Sequence, residues 1–319
     1  TGATGFIGTH LTRELLNSGH EVLGLVRAPA KIAPDLRDSM EVLPGDLSIF
    51  RDPNLRLPPC DVVVHLAAPV TAPSARDYDQ TNRAAVEDLL GALSRQVWKP
   101  RRLLLCSSLA AAGPSTPGRP HTEDDPLGPI DWYGQAKAGA EALVDDLPYP
   151  VTILRPCIVL GAGDPATLAL FKMARTGFAL RPAGPPQEVS FVDVADVVTA
   201  IAAMAGDAGE AGHVYFIAQD GTITVDEMLA AMGAAQGKRV RVIAIPRAAL
   251  RAAVTLGTAA ARVLPIRNQL DLKQYKQMTA PAFACSSARL QRELGWKPVV
   301  GLAESVERAA AGYRAMGWL

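Results

Sequence analysis

The sequence lacks an excess of charge of either sign. Its 319 residues include 32 Lys and Arg against 32 Asp and Glu, and hydrophobic residues make up 49% of the chain. A protein that binds nucleic acid through the phosphates usually carries a basic field, which this composition does not supply. We therefore expect an ordinary globular protein without a nucleic-acid partner.

Cysteine is also scarce, and only Cys60, Cys106, Cys157 and Cys285 are present. They are scattered, they form no C-x-x-C pair, and three of them follow or interrupt apolar runs. This pattern favours buried free thiols over disulfides or a metal site. We predict no metal centre and a reducing, cytoplasmic location.

A long uninterrupted hydrophobic run is missing as well. The most membrane-like stretch, IPRAALRAAVTLGTAAARVLP, is interrupted by Arg247, Arg251 and Arg262. A membrane-spanning helix needs about 18 or more consecutive apolar residues. The stretch therefore predicts a helix that is packed or lies on the surface, and we expect no membrane span.

The first half of the chain contains an alternation of short apolar runs and helical patterns. The runs EVLGLV, MEVLPGD, DVVVHLAA, RLLLCSS and VTILRP are continuous, as in strands covered on both faces. Helices are predicted from Gly8 to a left-handed cap at Gly19, and at about residues 79–96 and 133–146. Alternating strands and helices of this kind predict an α/β fold with a doubly wound parallel sheet.

The second half has a looser pattern. Helical spacing recurs in SFVDVADVVTAIAAMAG, and HVYFIA is predicted as one more strand. Thr224 and Glu227 form a capping box for a helix, and SSARLQRELG predicts another helix that ends at Gly295. We assign residues 1–156 and 189–218 to a nucleotide-binding Rossmann domain, and residues 157–188 and 219–319 to a smaller, mixed substrate-binding region.

The chain opens on a glycine-rich octet, TGATGFIG. Gly2, Gly5 and Gly8 fit G-x-x-G-x-x-G, a variant of the dinucleotide fingerprint. Glycine permits a tight turn there and lets backbone N–H groups approach a pyrophosphate at the start of a helix. Such a turn normally follows a buried strand, so we expect further residues before Thr1.

The residue expected to face the adenosine ribose has a basic side chain. It follows the next strand about twenty residues after the turn, and here it is Arg27. A carboxylate would bind the ribose 2′-hydroxyl, whereas a guanidinium pairs with a 2′-phosphate. NADP is therefore favoured, with NAD as the alternative. Lys31 either adds a second positive charge or is simply solvated.

One tyrosine has a lysine four residues further on. Tyr133 and Lys137 lie at this spacing, so both side chains share one face of the predicted helix. Free tyrosine, with a pKa of about 10, is too weak a base at neutral pH. Lowering this pKa by about three units takes about 4 kcal/mol. A close ammonium and a positive nicotinamide ring can supply much of it.

A serine at the end of a core strand completes the candidate catalytic set. Ser108 is the last residue of RLLLCSS, at the carboxyl end of its strand, where ligands bind in such sheets, and Ser107 is the competing choice. The loop GPSTPGRPHTEDDPLGPID then precedes Tyr133. A loop this long usually serves a site, and the alternative is a solvated excursion.

Together these motifs resemble the extended short-chain dehydrogenase/reductase superfamily, in its NAD(P)-dependent epimerase/dehydratase group. The resemblance covers nearly the whole chain, from TGATGFIG, GDL and HLAA to YGQAK, LRPCIVLG, FVDVADVV and RELGWKP. It favours Ser108 over Ser107 and implies that Ser108, Tyr133 and Lys137 are catalytic. With the glycine turn, it implies cofactor contacts from Gly2, Thr4, Gly5, Phe6, Ile7, Gly8, Arg27, Lys31, Asp46, Leu47, Leu66, Ala67, Ala68, Asn82, Tyr133, Lys137, Pro156 and Ile158.

Departures from the family pattern narrow the branch. Sugar-nucleotide dehydratases resemble this chain but carry Asp-Glu after the catalytic residue, where this sequence has Leu109 and Ala110. Many nucleotide-sugar epimerases have an arginine just before the segment that matches SFVDVADVV, whereas Glu188 here would repel a diphosphate. The chain is therefore most similar to the branch of dihydroflavonol reductases, 3β-hydroxysteroid dehydrogenases and hopanoid-associated proteins.

We predict an NADP-dependent oxidoreductase that acts on a carbonyl or secondary alcohol of a small or moderately apolar substrate. Loops at about residues 160–187 and the proline-rich loop before Tyr133 should form the pocket. The resemblance implies hydride transfer from the pro-S face and a homodimer built on the helices that start near Asp79 and Tyr133. The alternatives are a nucleotide-sugar 4-epimerase and a non-catalytic, NADP-sensing or scaffold protein.

Overall fold

The first half of the chain alternates strands with helices. The computed structural model describes residues 1–145, 147–206, 214–263 and 272–319, with the backbone alone at 258–263 and 272–274. The strands of this half are β1 Leu23–Val26, β2 Glu41–Pro44, β3 Val62–His65, β4 Arg102–Cys106 and β5 Val151–Pro156. The helices are α1 Phe6–Asn17, α2 Ala75–Tyr78, α3 Ala85–Ser94, α4 Leu109–Ala112 and α5 Trp132–Glu141. Every apolar run named above contains one of these strands.

The described residues of the second half contain eight further strands and seven helices. The strands are β6 Ile158–Leu160, β7 Phe178–Pro182, β8 Glu188–Val189, β9 Phe191–Asp193, β10 Val214–Ile217, β11 Ile223–Thr224, β12 Arg241–Ile245 and β13 Ala282–Phe283. The helices are α6 Leu168–Arg175, α7 Val194–Gly206, α8 Val225–Ala234, α9 Arg247–Val263, α10 Leu272–Thr279, α11 Ala288–Leu294 and α12 Leu302–Ala315. The capping box of Thr224 and Glu227 is present, and Gly295 has the expected left-handed conformation.

The central sheet is parallel and has the order β10–β5–β4–β3. Strands β1 and β2 form a separate parallel pair, where one continuous sheet was expected. The start of the opening octet lies between the central sheet and this pair. On one side, the amino group of Thr1 donates to the Val64 carbonyl in β3 at 2.7 Å. On its other side, Ala3 lies next to Gly24 in β1.

Helices cover both faces of this sheet. Strand β4 is buried along its whole length. Leu104 packs in one cluster with Val197 of α7, whereas Leu103 and Leu105 pack in another with Leu89 of α3. Since successive side chains of a strand point to opposite faces, both faces are buried. This arrangement confirms the doubly wound architecture that the continuous apolar runs predict.

Two predicted helices have different limits in the structure. The one expected at 79–96 begins at Ala75, contains a π-helical turn at Asp79–Ala84 and ends at Ser94. The one expected at 133–146 is α5, which ends at Glu141, and Asp146 lies outside the described residues. His213, at the start of HVYFIA, and the side chain of Arg262 also lie outside them.

The remaining strand pairs lie within the second half of the chain. Strands β11, β8 and β13 form one small sheet, while β7 pairs with β12 and β6 with β9. Along the described parts of the chain, no helix is long and apolar enough to cross a membrane. The candidate site residues Arg27, Ala67, Ser108 and Pro156 lie at the carboxyl ends of β1, β3, β4 and β5.

Candidate active site

The glycine turn is too tight for any other residue at two of its positions. Gly2 has a φ of +79°, and a Cβ atom there would lie 2.8 Å from the Ala67 backbone nitrogen. A Cβ atom on Gly8 would lie 1.9 Å from the Gly2 carbonyl oxygen. Gly5 is the N-cap of α1, so the free N–H groups of the first helical turn, at Phe6 and Ile7, open beside this turn.

A cavity of about 500 Å³ opens beside the glycine turn. Seven of the predicted cofactor residues line it, namely Gly2, Thr4, Arg27, Asp46, Leu47, Ala67 and Ala68. The other predicted cofactor residues do not line it, namely Gly5, Phe6, Ile7, Gly8, Leu66, Asn82, Tyr133, Lys137, Pro156 and Ile158. Lys31 is exposed at the end of a short 3₁₀ turn and does not line the cavity either.

Charged side chains of both signs meet in this cavity. Asp46 accepts hydrogen bonds from the backbone N–H of Ser48 at 2.9 Å and from its hydroxyl at 2.6 Å. These bonds, followed by the charges of Arg27 and Arg51, hold the pKa of Asp46 below its ordinary value. The carboxylate is therefore an acceptor at neutral pH, with two guanidinium groups near it.

Arg51 is a residue that the sequence analysis missed. It lines the same cavity, and its Nε donates to Asp88 at 2.7 Å. A 3₁₀ turn at Leu47–Arg51, capped by Asp46, brings it back toward Arg27. The capping pattern of Asp46 and Ser48 could have indicated such a turn, because Asp accepts readily from the residue two positions on.

Three predicted catalytic residues come together where β4 ends and α5 begins. Lys137 is 3% exposed, and its Nζ donates to the Cys106 carbonyl oxygen at 2.6 Å. Its Nζ also lies 5.8 Å from the centre of the Tyr133 ring, one helical turn earlier. The Ser108 hydroxyl lies near enough to the Tyr133 phenol to lower its pKa, and its Oγ accepts from the Ala110 N–H at 3.1 Å. A phenol, an ammonium and a hydroxyl therefore occupy one corner of the molecule.

The two ionisable groups of this corner are shifted by burial. Burial raises the pKa of Tyr133, and this effect outweighs the hydrogen bond with Ser108, which lowers it. Burial lowers the pKa of Lys137, although the charges of Cys106 and Glu141 oppose that shift. The expected lowering of the phenol pKa by Lys137 is not among the effects that these protein groups produce. The lowering of the Tyr133 pKa therefore stays a prediction for the complex with an oxidised nicotinamide.

Ser107 has a different partner from Ser108. Its hydroxyl donates to Glu141, a buried carboxylate one turn after Lys137 on α5. Arg155 of β5 binds the same carboxylate through Nε at 3.0 Å and Nη2 at 2.6 Å. Strands β4 and β5 are thus tied to α5 directly behind the catalytic corner, and the geometry leaves Ser108 as the serine next to Tyr133.

Asn82 lies in the π-helical turn, and π-turns occur frequently at functional sites. It is 1% exposed, and its Nδ2 donates to the Tyr78 carbonyl oxygen at 3.1 Å. Its Oδ1 is buried without a partner among the described residues. A buried acceptor without a donor costs about 1–3 kcal/mol, so this oxygen is suited to accept from a water or a ligand.

The proline-rich loop before Tyr133 is attached to the second half of the chain. Ser115 donates its N–H to the Ala282 carbonyl at 3.0 Å, and His121 does so to Ala284 at 2.8 Å. The Glu123 carboxylate accepts from the Phe216 backbone at 2.9 Å. The Gly118 N–H donates to Glu188, the acid noted above, at 2.8 Å. The loop is therefore hydrogen-bonded to the second half at several points, although residues 116–119 are exposed to solvent.

Comparison with known proteins agrees with these features. A model of the NAD dependent epimerase/dehydratase family matches residues 1–218. A ceramide reductase from Caulobacter vibrioides is 27% identical over 325 residues, which cover 100% of this chain and 95% of that protein. A UDP-glucose 4-epimerase from Vibrio cholerae is 32% identical over 194 residues, 56% of this chain and 57% of that protein.

Solved structures are similar over nearly the full length. UDP-glucose 4-epimerase from Thermotoga maritima with UDP-glucose gives a TM-score of 0.76 at 20% identity, covering 99% of this chain and 97% of that one. The structure of RMD from Pseudomonas aeruginosa with NADPH gives 0.70 at 21% identity, covering 99% and 98%. At these identities the structures support the Rossmann-type fold alone.

Proposed function

Because the chain belongs to the NAD dependent epimerase/dehydratase family, we propose that it is an NADP(H)-dependent oxidoreductase. It transfers a hydride between the dinucleotide and a carbonyl or secondary alcohol of a small or moderately apolar substrate. The observation that carries this proposal is the meeting of Ser108, Tyr133 and Lys137 at the end of β4. Residues 1–156 and 189–218 bind the cofactor, and residues 157–188 and 219–319 bind the substrate.

The groups around the cavity fit a phosphorylated dinucleotide. Gly2 and Gly8 leave room for backbone N–H groups to approach a pyrophosphate at the start of α1. Arg27 and Arg51 present two guanidinium groups, which suit a 2′-phosphate better than a free 2′-hydroxyl. Asp46 presents an acceptor for the adenine amino group. These features support NADP over NAD as the cofactor.

Reduction follows from the roles of the three catalytic groups. The reduced dinucleotide supplies the hydride when it is bound. Ser108 donates a hydrogen bond to the substrate carbonyl oxygen and orients it. Tyr133 gives its phenolic proton to that oxygen as the carbonyl carbon gains the hydride, so an alcohol and a phenolate result. Lys137 stabilises the phenolate, which regains a proton from solvent.

The protonation of Tyr133 favours the reductive direction. Because burial raises its pKa, the phenol is an acid at neutral pH and is ready to donate a proton. Oxidation of an alcohol needs the phenolate as a base, which is scarce at neutral pH unless a positive nicotinamide ring lies next to it. The cofactor-free protein therefore holds Tyr133 in the protonation state that reduction requires.

A nucleotide-sugar 4-epimerase is the second candidate, since the Vibrio cholerae relative is 32% identical. The same catalytic groups would serve that reaction, but the matched segment covers 56% of this chain, whereas the reductase match covers all of it. Leu109 and Ala110 after the catalytic serine speak against dehydration. A non-catalytic NADP sensor is the third candidate, and the complete catalytic set speaks against it.

The test separates the two enzymatic candidates. The purified protein is incubated with NADPH and aldehydes or ketones of increasing apolar length, and the absorbance of the reduced nicotinamide is followed. Stoichiometric loss of that absorbance supports a reductase. Conversion of a UDP-hexose without net change in the cofactor would establish the epimerase instead.

We also propose that the protein is cytoplasmic and forms a homodimer through the helices that begin near Asp79 and Tyr133. These helices pack side by side, because a Cβ atom on Gly139 of α5 would lie 3.1 Å from the Arg83 side chain. Sedimentation equilibrium measures the oligomeric state, and a monomer at micromolar concentration contradicts this part of the proposal.

A further inference from the structure

The paired strands β7 and β12 present an apolar face to solvent. Phe178 and Leu180 are each 52% exposed, and Ile243 is 47% exposed. In the parallel register Leu180 lies beside Ile243 and Phe178 beside Arg241, so these side chains point to the same face. Ala179, which points the other way, is fully buried. The outer face is thus apolar where a surface strand usually carries polar residues.

Helix α9 is joined directly to this strand pair. It follows β12 after Pro246, and Arg247 at its start donates Nε to the Ala183 carbonyl at 3.0 Å. Val254 is 2% exposed and packs inward, whereas Leu256 is 71% exposed. The exposed residues between 248 and 256 are Ala248, Ala249, Arg251, Ala252, Ala253, Thr255 and Leu256. The solvent side of this helix is therefore mostly apolar, and Arg251 is the charged group among them.

The same part of the chain is strongly basic. Residues 168–184 and 234–257 contain eight Lys and Arg and no Asp or Glu, although the chain as a whole is neutral. Among the described residues, Arg181 pairs with Asp226 at 2.9 Å. Lys172, Arg175, Lys238, Arg239, Arg241, Arg247 and Arg251 take part in no ion pair with the described residues. Exposed apolar side chains and unneutralised cations are the two features that an anionic lipid surface attracts.

We propose that this lipid-docking surface, made of Phe178, Leu180, Ile243, Leu256, Arg241 and Arg251, binds the protein to the surface of an anionic phospholipid bilayer. The apolar side chains enter the boundary between headgroups and acyl chains, while the guanidinium groups bind lipid phosphates. A second copy of the chain fits less well, because self-association through this surface would bring its cations together. Nucleic acid fits less well too, because the apolar side chains lie among the cations.

The lipid-docking surface is connected to the catalytic helix. The Gln277 side chain of α10 donates to Asp131, the N-cap of α5, two residues before Tyr133. The Gln187 amide donates to the Gln277 and Ala280 carbonyl oxygens at 2.8 Å each. Helix α10 also packs against α9 and β7. Docking thus brings the bilayer to the side of the molecule that borders the proposed substrate region.

Vesicle co-sedimentation of the full chain tests the proposal. The vesicles contain phosphatidylcholine alone or phosphatidylcholine with phosphatidylglycerol. We expect binding to the anionic vesicles only, and weaker binding at high salt. Since each basic residue near an anionic surface contributes about 1 kcal/mol, Arg241→Gln/Arg251→Gln should weaken partitioning about thirtyfold. Leu180→Ser/Ile243→Ser should reduce binding even at low salt, because it removes inserted apolar area.

Matched variants elsewhere on the surface are the controls. Val97→Ser/Val299→Ser changes residues that are 105% and 80% exposed, and Arg56→Gln/Lys297→Gln removes two exposed charges. These variants should bind vesicles like the wild type. NADPH affinity and thermal midpoint check that each variant is folded, with Leu180→Ser alone as a milder substitute.

Three results would overturn the proposal. In the first, the wild type does not bind anionic vesicles. In the second, both surface variants bind as the wild type does. In the third, the wild type is a dimer in solution and Leu180→Ser/Ile243→Ser makes it a monomer, which identifies a subunit interface. None of these measurements depends on catalytic activity, so the proposal can fail while the proposed reductase function stands.

Discussion

Arg27 and Arg51 reach the nucleotide cavity from different turns of the chain, and each has a distinct environment. Arg51 is paired with Asp88 at 2.7 Å, whereas Arg27 is exposed at the carboxyl end of β1. An unpaired guanidinium is freer to bind a phosphate. Arg27 should therefore contribute more to the choice of cofactor than Arg51.

Replacing Arg27 should remove the preference for NADPH, so that NADPH and NADH bind with similar affinity. We expect Arg27→Ser to weaken NADPH binding by about 1.5–3 kcal/mol, the usual contribution of a hydrogen bond to a charged group. NADH binding should hardly change. Calorimetric titration with both dinucleotides measures this difference. Lys31→Ser is the control, because Lys31 does not line the cavity, and an equal loss in that variant would contradict the assignment.

The hydroxyl group of Tyr133 can be removed by substitution with Phe, which keeps the aromatic ring and therefore the shape of the site. Tyr133→Phe should lower the rate of carbonyl reduction by a factor of about 10²–10⁴, the usual contribution of a positioned acid. NADPH binding should persist, because the aromatic ring and Lys137 remain. Single-turnover kinetics and a binding titration separate the two effects. Unchanged biological activity in this variant would favour the NADP sensor.

The raised pKa of Tyr133 also predicts a pH profile. A raised pKa keeps the phenol protonated to a higher pH than the ordinary value of about 10. The acid form is then fully present at neutral pH and is lost only as the pH rises through the shifted value. We expect kcat/KM for NADPH-dependent reduction to show no loss of this acid between pH 6 and about 9. A decline centred near neutral pH that is absent in Tyr133→Phe contradicts this prediction.

At the scale of elements, the buried pair of Glu141 and Arg155 joins α5 to β5, and the Ser107 hydroxyl joins it to β4. Both charged side chains are about 5% exposed. Removing one partner leaves the other buried charge without compensation, which typically costs about 3–5 kcal/mol. The catalytic helix is therefore held by a pair that tolerates little change.

Urea unfolding tests this coupling. Glu141→Ala should lower the free energy of unfolding by about 3–5 kcal/mol. Ser107→Ala should lower it by about 1 kcal/mol, because it removes a single hydrogen bond. Glu304→Ala, at an exposed carboxylate paired with Arg308 on α12, should change it by less than about 1 kcal/mol. An equal effect of the two Glu variants would show that burial does not govern the pair.

Several elements could be predicted from the sequence because their causes are local. A continuous apolar run gives a strand covered on both faces, as β4 shows, and a capping pair starts α8. The glycine turn follows from contacts within eight residues of chain and with Ala67. The π-helical turn around Asn82 could not be predicted in this way. It spans only six residues, and over so short a segment its side-chain periodicity is nearly the same as that of an α-helix.

At the scale of the whole molecule, the sequence shows which segments are apolar but not which of their side chains are exposed to solvent. Phe178, Leu180 and Ile243 have the pattern of ordinary strand residues, and only the packing of β7 and β12 decides that their face points outward. The return of Arg51 to the cavity depends in the same way on tertiary structure. Local structure set by short motifs was therefore predictable, whereas surfaces formed by distant segments were not.

One carboxylate links the two halves of the molecule. Asp131 accepts from the Gly134 N–H through Oδ1 at 2.6 Å, while Oδ2 accepts from Gln277, 146 residues away in the chain. The first turn of α5 is thus held both from within the helix and from α10. A displacement of α10 would change the hydrogen bonding of the N-cap two residues before Tyr133, so the position of that side chain depends on a segment far away in the chain.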